Sequence, residues 1–428
     1  MSDKPENAPA QAPTEAEAGG TSLQRMAART GKLESLLVPG LAVLTALILG
    51  AFFILAANPL ARGSWQAFTQ DPLGTLGTNW TVLRDSYLAL FEGAFGNPAA
   101  AVQAIRNWSD TGETRPLLDA FRPFAESLTI STPYIFLGLA VALGFRGGLF
   151  NIGAEGQLFV GGLASAYVGY SLTGLPWYVH LPLALGAGMA AGGIWAAIPG
   201  FLKARTGAHE VINTIMMNWI AFRLTDYLLT GPMARPDGLP ITPVILPSAY
   251  LPALFPRPMR VHVGFFLALG MVLLVYWFLW KTTWGFEIRM VGANPRAAKY
   301  AGVKIARTMV LTMGLSGALA GLAGASQILG VDHQMVRAFS SGFGFDSIAL
   351  ALLGNSHPAG VLLASLLFGF LRGGAARMQS IASVPVELIR IIQGMVIIFV
   401  AAPEIVRGLY RLRAPRLKEV QPATSQSG

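Results

Sequence analysis

Long, uninterrupted runs of apolar residues recur along the chain, and they constrain its fold more than any other feature. The clearest are Leu36–Ala57, Val179–Phe201, Val261–Trp280 and Thr308–Leu329. A run of about 20 apolar residues is long enough to cross the hydrocarbon core of a bilayer as an α-helix. Only 12% of the residues are charged, which is about half the share in an ordinary soluble domain. We therefore expect an all-α, polytopic membrane protein.

Six further apolar segments bring the expected number of transmembrane helices to about ten. They are Glu126–Phe145, Gln157–Leu172, His209–Thr230, Phe343–Leu353, Val361–Ala376 and Val384–Pro403. Phe343–Leu353 is too short for an ordinary crossing, and we expect it to be half of a broken helix packed inside the protein. Basic residues precede the first run and follow the last one, which places both termini in the cytoplasm.

The connecting segments define the predicted domain boundaries. Residues 1–34 are rich in Ala, Pro and Glu and predict a disordered cytoplasmic tail. Residues 35–407 form the transmembrane domain, and residues 408–428 form a basic cytoplasmic tail. Within the domain, residues 58–122 and 231–258 are predicted external loops, the first of them ordered and partly helical at the membrane surface.

The segment 285–307 is a basic connector between two apolar runs. It carries five basic residues against one acid, and such connectors lie in the cytoplasm. Its centre predicts a short helix with Asn294 as the N-cap, Pro295 at the first helical position and Gly302 at the end. Small side chains at Ala297 and Ala298 would let another protein approach closely. A transporter driven by a soluble motor needs such a helix.

Small residues at helical spacing predict where helices pack closely. In the run Thr308–Leu329, glycine recurs at Gly314, Gly317, Gly321 and Gly324. The run Val179–Phe201 contains Gly188 and Gly192. Helices in lipid associate mainly through close packing at such small-residue faces, because apolar burial hardly drives association there.

A glycine-rich break, GGLFNIGAEGQ, separates the second and third runs and carries Asn151, Glu155 and Gln157. Polar groups at membrane level tend to face a cavity or a pathway, and non-helical backbone is tolerated there only when protein or water satisfies it. One interpretation is therefore a discontinuity that lines a translocation path. The other is an ordinary turn, with Asn151 as a cap and Glu155 in the first helical turn.

Two further polar groups have the same two interpretations. Glu210, Thr214 and Asn218 share one face of the fifth run, either along a water-filled route or as capping and interhelical hydrogen-bonding groups. Asp346, which follows Phe345, is either a pathway residue or a group that caps or begins the short helix.

The sequence gives no sign of catalytic or cofactor chemistry. It has no cysteine, no HExxH metal motif and no GxxxxGK[ST] phosphate loop. We therefore expect no enzyme activity, no metal and no cofactor in this chain, and any energy from ATP must come from another subunit. The net charge of +9 lies in short connectors and at the C-terminus, which argues against nucleic acid as a partner.

Four stretches resemble the permease subunits of bacterial ABC importers, most closely the nucleoside or simple-sugar branch that is allied to the ribose and branched-chain amino acid permeases. They are GLFNIGAEGQLFVGG (Gly148–Gly162), VINTIMMNWIA (Val211–Ala221), GANPRAAKYAGVKIAR (Gly292–Arg307) and GFGFDSIALALLGNSHPAG (Gly342–Gly360). The resemblance covers about residues 35–407, except much of 58–122.

This resemblance implies a multi-pass subunit of the cytoplasmic (inner) membrane that moves a nucleoside or similar small polar solute by alternating access. Its partners would be membrane lipid, a cytoplasmic ATPase that binds the ATP, a second and usually different permease, and an external substrate-binding protein. The ATPase would contact a coupling helix comprising Gly292, Ala293, Asn294, Pro295, Ala297, Ala298, Tyr300, Ala301 and Gly302. The substrate path would include Asn151, Glu155, Gln157, Thr214, Asn218, Phe345 and Asp346.

Other functions remain open at this point. A permease for simple sugars or branched-chain amino acids fits the same motifs. An ion-coupled secondary transporter would show inverted repeats and an intramembrane ionisable residue for the coupling ion, and a membrane enzyme would need a nucleophile, an acid–base pair or a metal cluster. We find no convincing sequence signal for either.

Overall fold

The computed structural model describes residues 22–382, 384–385 and 387–410, which form sixteen α-helices and no β-strand. The helices are α1 (Ser22–Ala57), α2 (Pro59–Gln66), α3 (Pro72–Phe95), α4 (Pro98–Thr111), α5 (Arg115–Arg146), α6 (Ala154–Ser171), α7 (Trp177–Thr206), α8 (Glu210–Thr230), α9 (Gly264–Lys281), α10 (Thr283–Ala293), α11 (Pro295–Tyr300), α12 (Ile305–Gln327), α13 (Phe343–Leu353), α14 (Pro358–Ala382), α15 (Glu387–Ala401) and α16 (Pro403–Leu409). A π-helical turn, Ile328–Asp332, extends α12.

Six helices within the described residues are long and apolar enough to cross a membrane: α1, α5, α7, α9, α12 (with its π-turn) and α14. The most apolar window of α5 is 83% buried in the subunit, whereas the corresponding windows of α1, α7 and α9 are 28% buried. Helix α5 therefore lies at the centre of the bundle, and the other three lie at its periphery. The all-helical, multi-pass fold is confirmed, and the number of ten crossings stays a prediction.

The segment 58–122, which we predicted to be a loop with some helix, is mostly helical. Its central helix, α3, is capped by Asp71, whose side chain accepts a hydrogen bond from the amide of Gly74 at 2.9 Å. Further along, Gly93 packs directly against Gly374 of α14. Helix α3 therefore belongs to the helical bundle, in a second core shared with α1, α14 and α15. The prediction underestimated the helix in this segment, because small residues and polar positions dilute its apolar pattern.

Two predicted tail boundaries differ from the structure. Helix α1 begins at Ser22, inside the predicted disordered tail of residues 1–34, because Ala, Leu, Gln, Arg, Met and Lys in this stretch favour helix. At the other end, α16 runs to Leu409, just past the predicted boundary at residue 407. The remaining parts of both predicted tails, residues 1–21 and 411–428, lie outside the described residues.

The predicted small-residue contact is confirmed between α7 and α12. A Cβ atom added to Gly192 would overlap the carbonyl oxygen of Gly317, and one added to Gly321 would overlap the carbonyl oxygen of Gly188. The two helix backbones therefore approach too closely for any larger side chain at these positions. The fourth predicted glycine, Gly324, contacts the backbone of α6 at Leu158.

The predicted loop 231–258 has only a short 3₁₀ turn, Pro247–Ala249, and is held by hydrogen bonds to the end of α12. The amide of Ile245 donates to the carbonyl of His333 at 2.9 Å, and the amide of Thr242 donates to the carbonyl of Met335 at 3.1 Å. This proline-rich segment is therefore ordered by the turn that follows α12.

Candidate functional site

The break between α5 and α6 turns back into the bundle. Residues 147–153 connect the two helices, and the side-chain amide of Asn151 donates to the hydroxyl of Ser316 at 2.9 Å. Ser316 lies about 16 Å along α12 from its start, at 1.5 Å per residue, and its hydroxyl donates to the carbonyl of Ala140 at 2.6 Å. Helix α6 therefore begins within the packed interior, and a translocation path along this break stays a prediction.

Asn151 and Gln157 form a reciprocal amide pair across this break. Each side chain donates to the other at 2.9 Å, and Asn151 also accepts from the amide of Gly153 at 3.0 Å. With its bond to Ser316, Asn151 makes all four hydrogen bonds that its amide group allows. Both side chains are buried, so their polar atoms hold the non-helical backbone inside the protein. Their place on a substrate path stays a prediction.

The polar face of α8 packs against the same break. Asn218 accepts from the amide of Gly156 at 2.9 Å and donates to the carbonyl of Ile152 at 3.0 Å. Thr214 is buried next to Gly153 and donates within its own helix. The two contacts of Asn218 are therefore the interhelical hydrogen bonds of the second interpretation, whereas the hydrogen bond of Thr214 stays within α8.

Glu155 lies in the first turn of α6, as predicted, but its carboxylate serves a different helix. It accepts from the hydroxyl of Ser340 and from the amide of Gly344, the latter at 2.5 Å. Helix α13 starts there after Gly342, which has a φ of +90° and provides no side-chain cap. A carboxylate satisfies the free amides at a helix start and complements the helix dipole. Glu155 therefore joins the start of α6 to the start of α13.

Asp346 is part of a charged cluster on α5, α13 and α14. Its Oδ2 accepts from the hydroxyl of Tyr134 at 2.6 Å and lies 3.4 Å from Nη1 of Arg372. Arg372 also donates to the Tyr134 hydroxyl at 2.7 Å and lies 4.4 Å from the centre of the Phe343 ring. Gly342 is the N-cap of α13 and Asp346 lies in the first helical turn, so Asp346 belongs to the start of the short helix without capping it. Its neighbour Phe345 is exposed.

Sequence reasoning missed Tyr134, Arg372, Ser316 and Ser340. A signal existed for Arg372, because an ionisable residue inside a long apolar helix marks a functional position by default. Tyr134 and the two serines carry no comparable signal. Such residues are common in membrane helices, and their roles here depend on partners more than 150 positions away in the chain.

The basic connector folds as two helices, α10 and α11. Asn294 ends α10 and caps α11, accepting from the amides of Arg296 and Ala297 at 3.0 and 3.1 Å. Gly302 follows with a φ of +81°, in the left-handed region that favours glycine. The predicted short helix, its cap and its end are confirmed as local structure.

The exposed face of the connector differs from the predicted one at a single residue. Ala298 is fully buried within the subunit, so its side chain is not available to another protein, contrary to our prediction. It faces inward because a six-residue helix must direct one position of its turn toward the body on which it packs. The side chain of Tyr300 is 94% exposed. The other predicted coupling residues are exposed or, in the case of Gly292, half-buried; they are Ala293, Asn294, Pro295, Ala297, Ala301 and Gly302.

The connector contacts the break before α6 directly. A Cβ added to Gly292 would overlap the carbonyl oxygen of Arg146, and Gly148, with a φ of +69°, packs on the backbone of Gly292. Arg146 also donates to the carbonyl of Ser356 at 2.9 Å, in the turn between α13 and α14. The connector, the end of α5 and the end of α13 therefore meet at one place.

Among the described residues, no group of three or more histidine, aspartate or glutamate side chains is placed to hold a metal ion. The site instead comprises two structural units. One is the buried junction where α6 and α13 begin, and the other is the exposed connector α10–α11; Gly292 and residues 146–148 link them.

Comparison with known proteins shows the family. Residues 124–401 match a family described as the permease component of branched-chain amino acid transport systems. The guanosine ABC transporter permease NupP of Bacillus subtilis is 45% identical over 66% of this chain and 82% of its own length. The nucleoside permease NupB of Lactococcus lactis is 32% identical over 73% and 87%.

A third relative is the glucose ABC transporter permease TsgB13 of Haloferax volcanii, 37% identical over 65% of this chain and 76% of its own length. No solved structure matches the chain. Transport permeases of this kind are membrane components rather than enzymes. The chain thus belongs to the family of branched-chain-amino-acid-type transport permeases, and it is a multi-pass permease subunit of an ABC importer.

Proposed function

We propose that this permease subunit imports a nucleoside, or a similar small polar solute, across the bacterial inner membrane. The observation that supports the substrate class is the 45% identity to a guanosine permease over 66% of this chain. The glucose permease relative supports a simple sugar as the second candidate. Both classes carry several hydroxyl groups, so the path must satisfy polar groups inside an apolar bundle.

The assembly contains, in this proposal, a second permease of different sequence, cytoplasmic ATPase subunits and an external substrate-binding protein. The ATPases bind the ATP, and this chain binds no cofactor. Ten crossings are reached when α6, α8, α15 and the short crossing at α13, taken as half of a broken helix, are added to the six candidate spans. Both termini then lie in the cytoplasm, on the same side as the basic connector, which agrees with the positive-inside rule.

The connector is the proposed contact with the ATPase. Helix α11 presents Ala297 and Tyr300 outward, and its cap at Asn294 gives it a fixed orientation on α10. Because Gly292 packs on residues 146–148, a push on α11 reaches the break before α6 through backbone contacts. The connector therefore acts as a short rigid lever on the buried junction.

Transport follows by alternating access. ATP binding brings the ATPases together, the two connectors move with them, and the permeases open in turn to the outside and the inside. The junction of α6 and α13 is the element that changes, since both helices begin within the bundle and share Glu155. Two helix starts joined by one carboxylate can move as a unit without leaving backbone amides unpaired in the membrane.

Uptake of labelled nucleosides, ribose and branched-chain amino acids tests this proposal. We compare cells that lack the chain, cells with it restored, and cells with it restored beside an inactive ATPase. In cells that lack the chain, we expect loss of nucleoside uptake alone. We expect the same loss in cells that have the chain restored beside an inactive ATPase. Loss of only ribose or only amino acid uptake would overturn the substrate class. Uptake that persists with the inactive ATPase would identify an ion-coupled transporter instead.

A further inference from the structure

The charged cluster around Asp346 has unused hydrogen-bonding capacity on one side. Oδ2 of Asp346 is occupied by Tyr134 and Arg372. Within the part of the chain that the structure describes, Oδ1 has no hydrogen-bond partner, and the side chain of Asp346 is 39% exposed. A carboxylate held by two donors on one oxygen presents the other in a fixed direction.

The exposed side of α13 is a poor match for lipid. Helix α13 has eleven residues, about 16 Å of helix, which is too short to span a bilayer. It packs on α5, α6, α14 and α15, and its open side carries Phe345, 45% exposed, beside Asp346. A carboxylate is costly in hydrocarbon and faces a cavity or a pathway instead. The open side of α13 therefore suits an aqueous space better than lipid.

The groups on this side have the chemistry to recognise a polyhydroxylated ring compound. A carboxylate oxygen accepts hydrogen bonds from hydroxyl groups, and a charged acceptor forms stronger bonds than a neutral one. The exposed Phe345 ring offers a face on which a planar base can stack. Arg372 is already engaged by Tyr134, Asp346 and the Phe343 ring, so it holds the carboxylate in place.

From this arrangement we propose that Asp346 binds the vicinal hydroxyl groups of the transported substrate, with Tyr134 and Arg372 as positioning residues. The inference rests on the proposed import of nucleosides, and it names the part of the substrate that this subunit recognises. The free ribose diol is the feature that ribonucleosides share irrespective of the base. The site therefore selects ribonucleosides as a class over analogues that lack the two hydroxyls.

The test compares uptake of a ribonucleoside with uptake of its 2′,3′-dideoxy analogue by the complete transporter in proteoliposomes. The binding protein is the same in every sample, so its own selectivity cancels when variants are compared. We expect the wild type to prefer the ribonucleoside by about tenfold or more, as a charge-assisted hydrogen bond allows. In Asp346→Asn, this preference falls to near that of the binding protein alone.

Asp226→Asn is the matched control. Asp226 also lies 3.4 Å from an arginine, Arg337, and its side chain is 41% exposed, but it is at the far end of α8 from the break. We expect the Asp226→Asn transporter to keep the wild-type preference for the ribonucleoside over its dideoxy analogue. Tyr134→Phe removes one hydroxyl without changing charge, and we expect an intermediate preference. It keeps the inference testable if Asp346→Asn fails to assemble.

An unchanged preference in Asp346→Asn, with nucleoside uptake intact, would overturn this inference and leave the proposed function standing. For Tyr134→Phe, an unchanged preference in an assembled complex would contradict it in the same way. A wild-type transporter that imports no nucleoside would overturn the proposed substrate class, and the inference with it. Co-purification of the ATPase subunits with each variant separates loss of recognition from loss of assembly.

Discussion

At the scale of single residues, the central finding is how the polar side chains of the break are satisfied. The sequence shows that Asn151, Gln157 and Asn218 lie near non-helical backbone, and it predicts that polar groups in a membrane need partners. It does not show which groups pair. The reciprocal bonds of Asn151 and Gln157, and the bonds of Asn218 to Gly156 and Ile152, depend on how three helices pack.

Asn218→Ala should destabilise the subunit, because it leaves the amide of Gly156 and the carbonyl of Ile152 unpaired. An unsatisfied buried group costs about 1–3 kcal/mol. We expect a clearly lower thermal transition of the purified complex in detergent. Asn213→Ala is the control, since no hydrogen bond involving the Asn213 side chain occurs among the described residues. An equal decrease of the thermal transition in both variants would contradict a stabilising role for the hydrogen bonds of Asn218.

The contact between His333 and the 231–258 segment should weaken in acid. Its ring stacks on Tyr250 with 3.9 Å between centroids. Burial, and then the charge of Arg257, lower the pKa of His333. The folded state therefore favours neutral imidazole, and the neighbouring His262 has its pKa lowered to about 4 by burial and by His333. Stability from His333 is complete above its unfolded pKa of about 6.5 and falls as the pH drops below it.

Hydrogen exchange measures this effect at the amides of Thr242 and Ile245, which donate to the turn at His333 and Met335. After correction for the intrinsic pH dependence of exchange, protection should fall between pH 7 and pH 5. In His333→Asn the change should disappear, and asparagine tolerates the φ of +54° at this position. The same decrease in this variant would show that another group titrates.

At the scale of helices, most of the predicted helix positions and contacts came from the length of the apolar runs and the spacing of small residues. The bounds of α13 agree with the sequence to the residue, and α8 and α11 agree within two residues. The extent of helix α3 was underestimated because small and polar residues dilute its apolar pattern, and its contact with α14 depends on Gly93 and Gly374 meeting across the bundle. The charged cluster of Asp346 was missed because its members come from three helices that are distant in sequence.

Gly192→Leu should disrupt the α7–α12 contact. A side chain at this position overlaps the backbone of Gly317 and lies within 3 Å of Gly321. Overpacking commonly costs about 1–3 kcal/mol, and a backbone-to-backbone contact cannot relax by rotating a side chain. We expect a strong loss of assembled complex in membranes, measured by quantitative immunoblotting after detergent extraction.

Gly186→Leu is the control for this variant. Gly186 lies on the same helix and has no atom within 4 Å of an added Cβ. It should assemble at the wild-type level. Comparable loss in both variants would show that the length or hydrophobicity of α7, rather than its contact with α12, determines assembly.

At the scale of the whole molecule, the fold places an exposed connector next to a buried junction. The sequence predicted both parts separately, as a capped basic helix and as a glycine-rich break. It did not predict their contact, which is made by backbone atoms of Gly292, Arg146 and Gly148. A contact of this kind leaves no side-chain pattern beyond the glycines that permit it.

The central claim is that an ATPase acts on this permease through α11. The chain has no cysteine, so one introduced cysteine gives a unique cross-linking position. We would introduce Tyr300→Cys at the exposed end of α11. The control is Tyr227→Cys, because Tyr227 is also exposed but lies near the C-terminal end of α8. Both variants would be treated with a short thiol-to-amine cross-linker in the assembled transporter.

We expect a cross-link from Tyr300→Cys to the ATPase subunit and none from Tyr227→Cys. Its yield should change between the nucleotide-free and ATP-bound states, because the lever moves with the ATPases. A transporter that assembles and hydrolyses ATP but gives no cross-link at Tyr300→Cys would contradict the account, and the ATPase contact would have to lie elsewhere on the cytoplasmic surface.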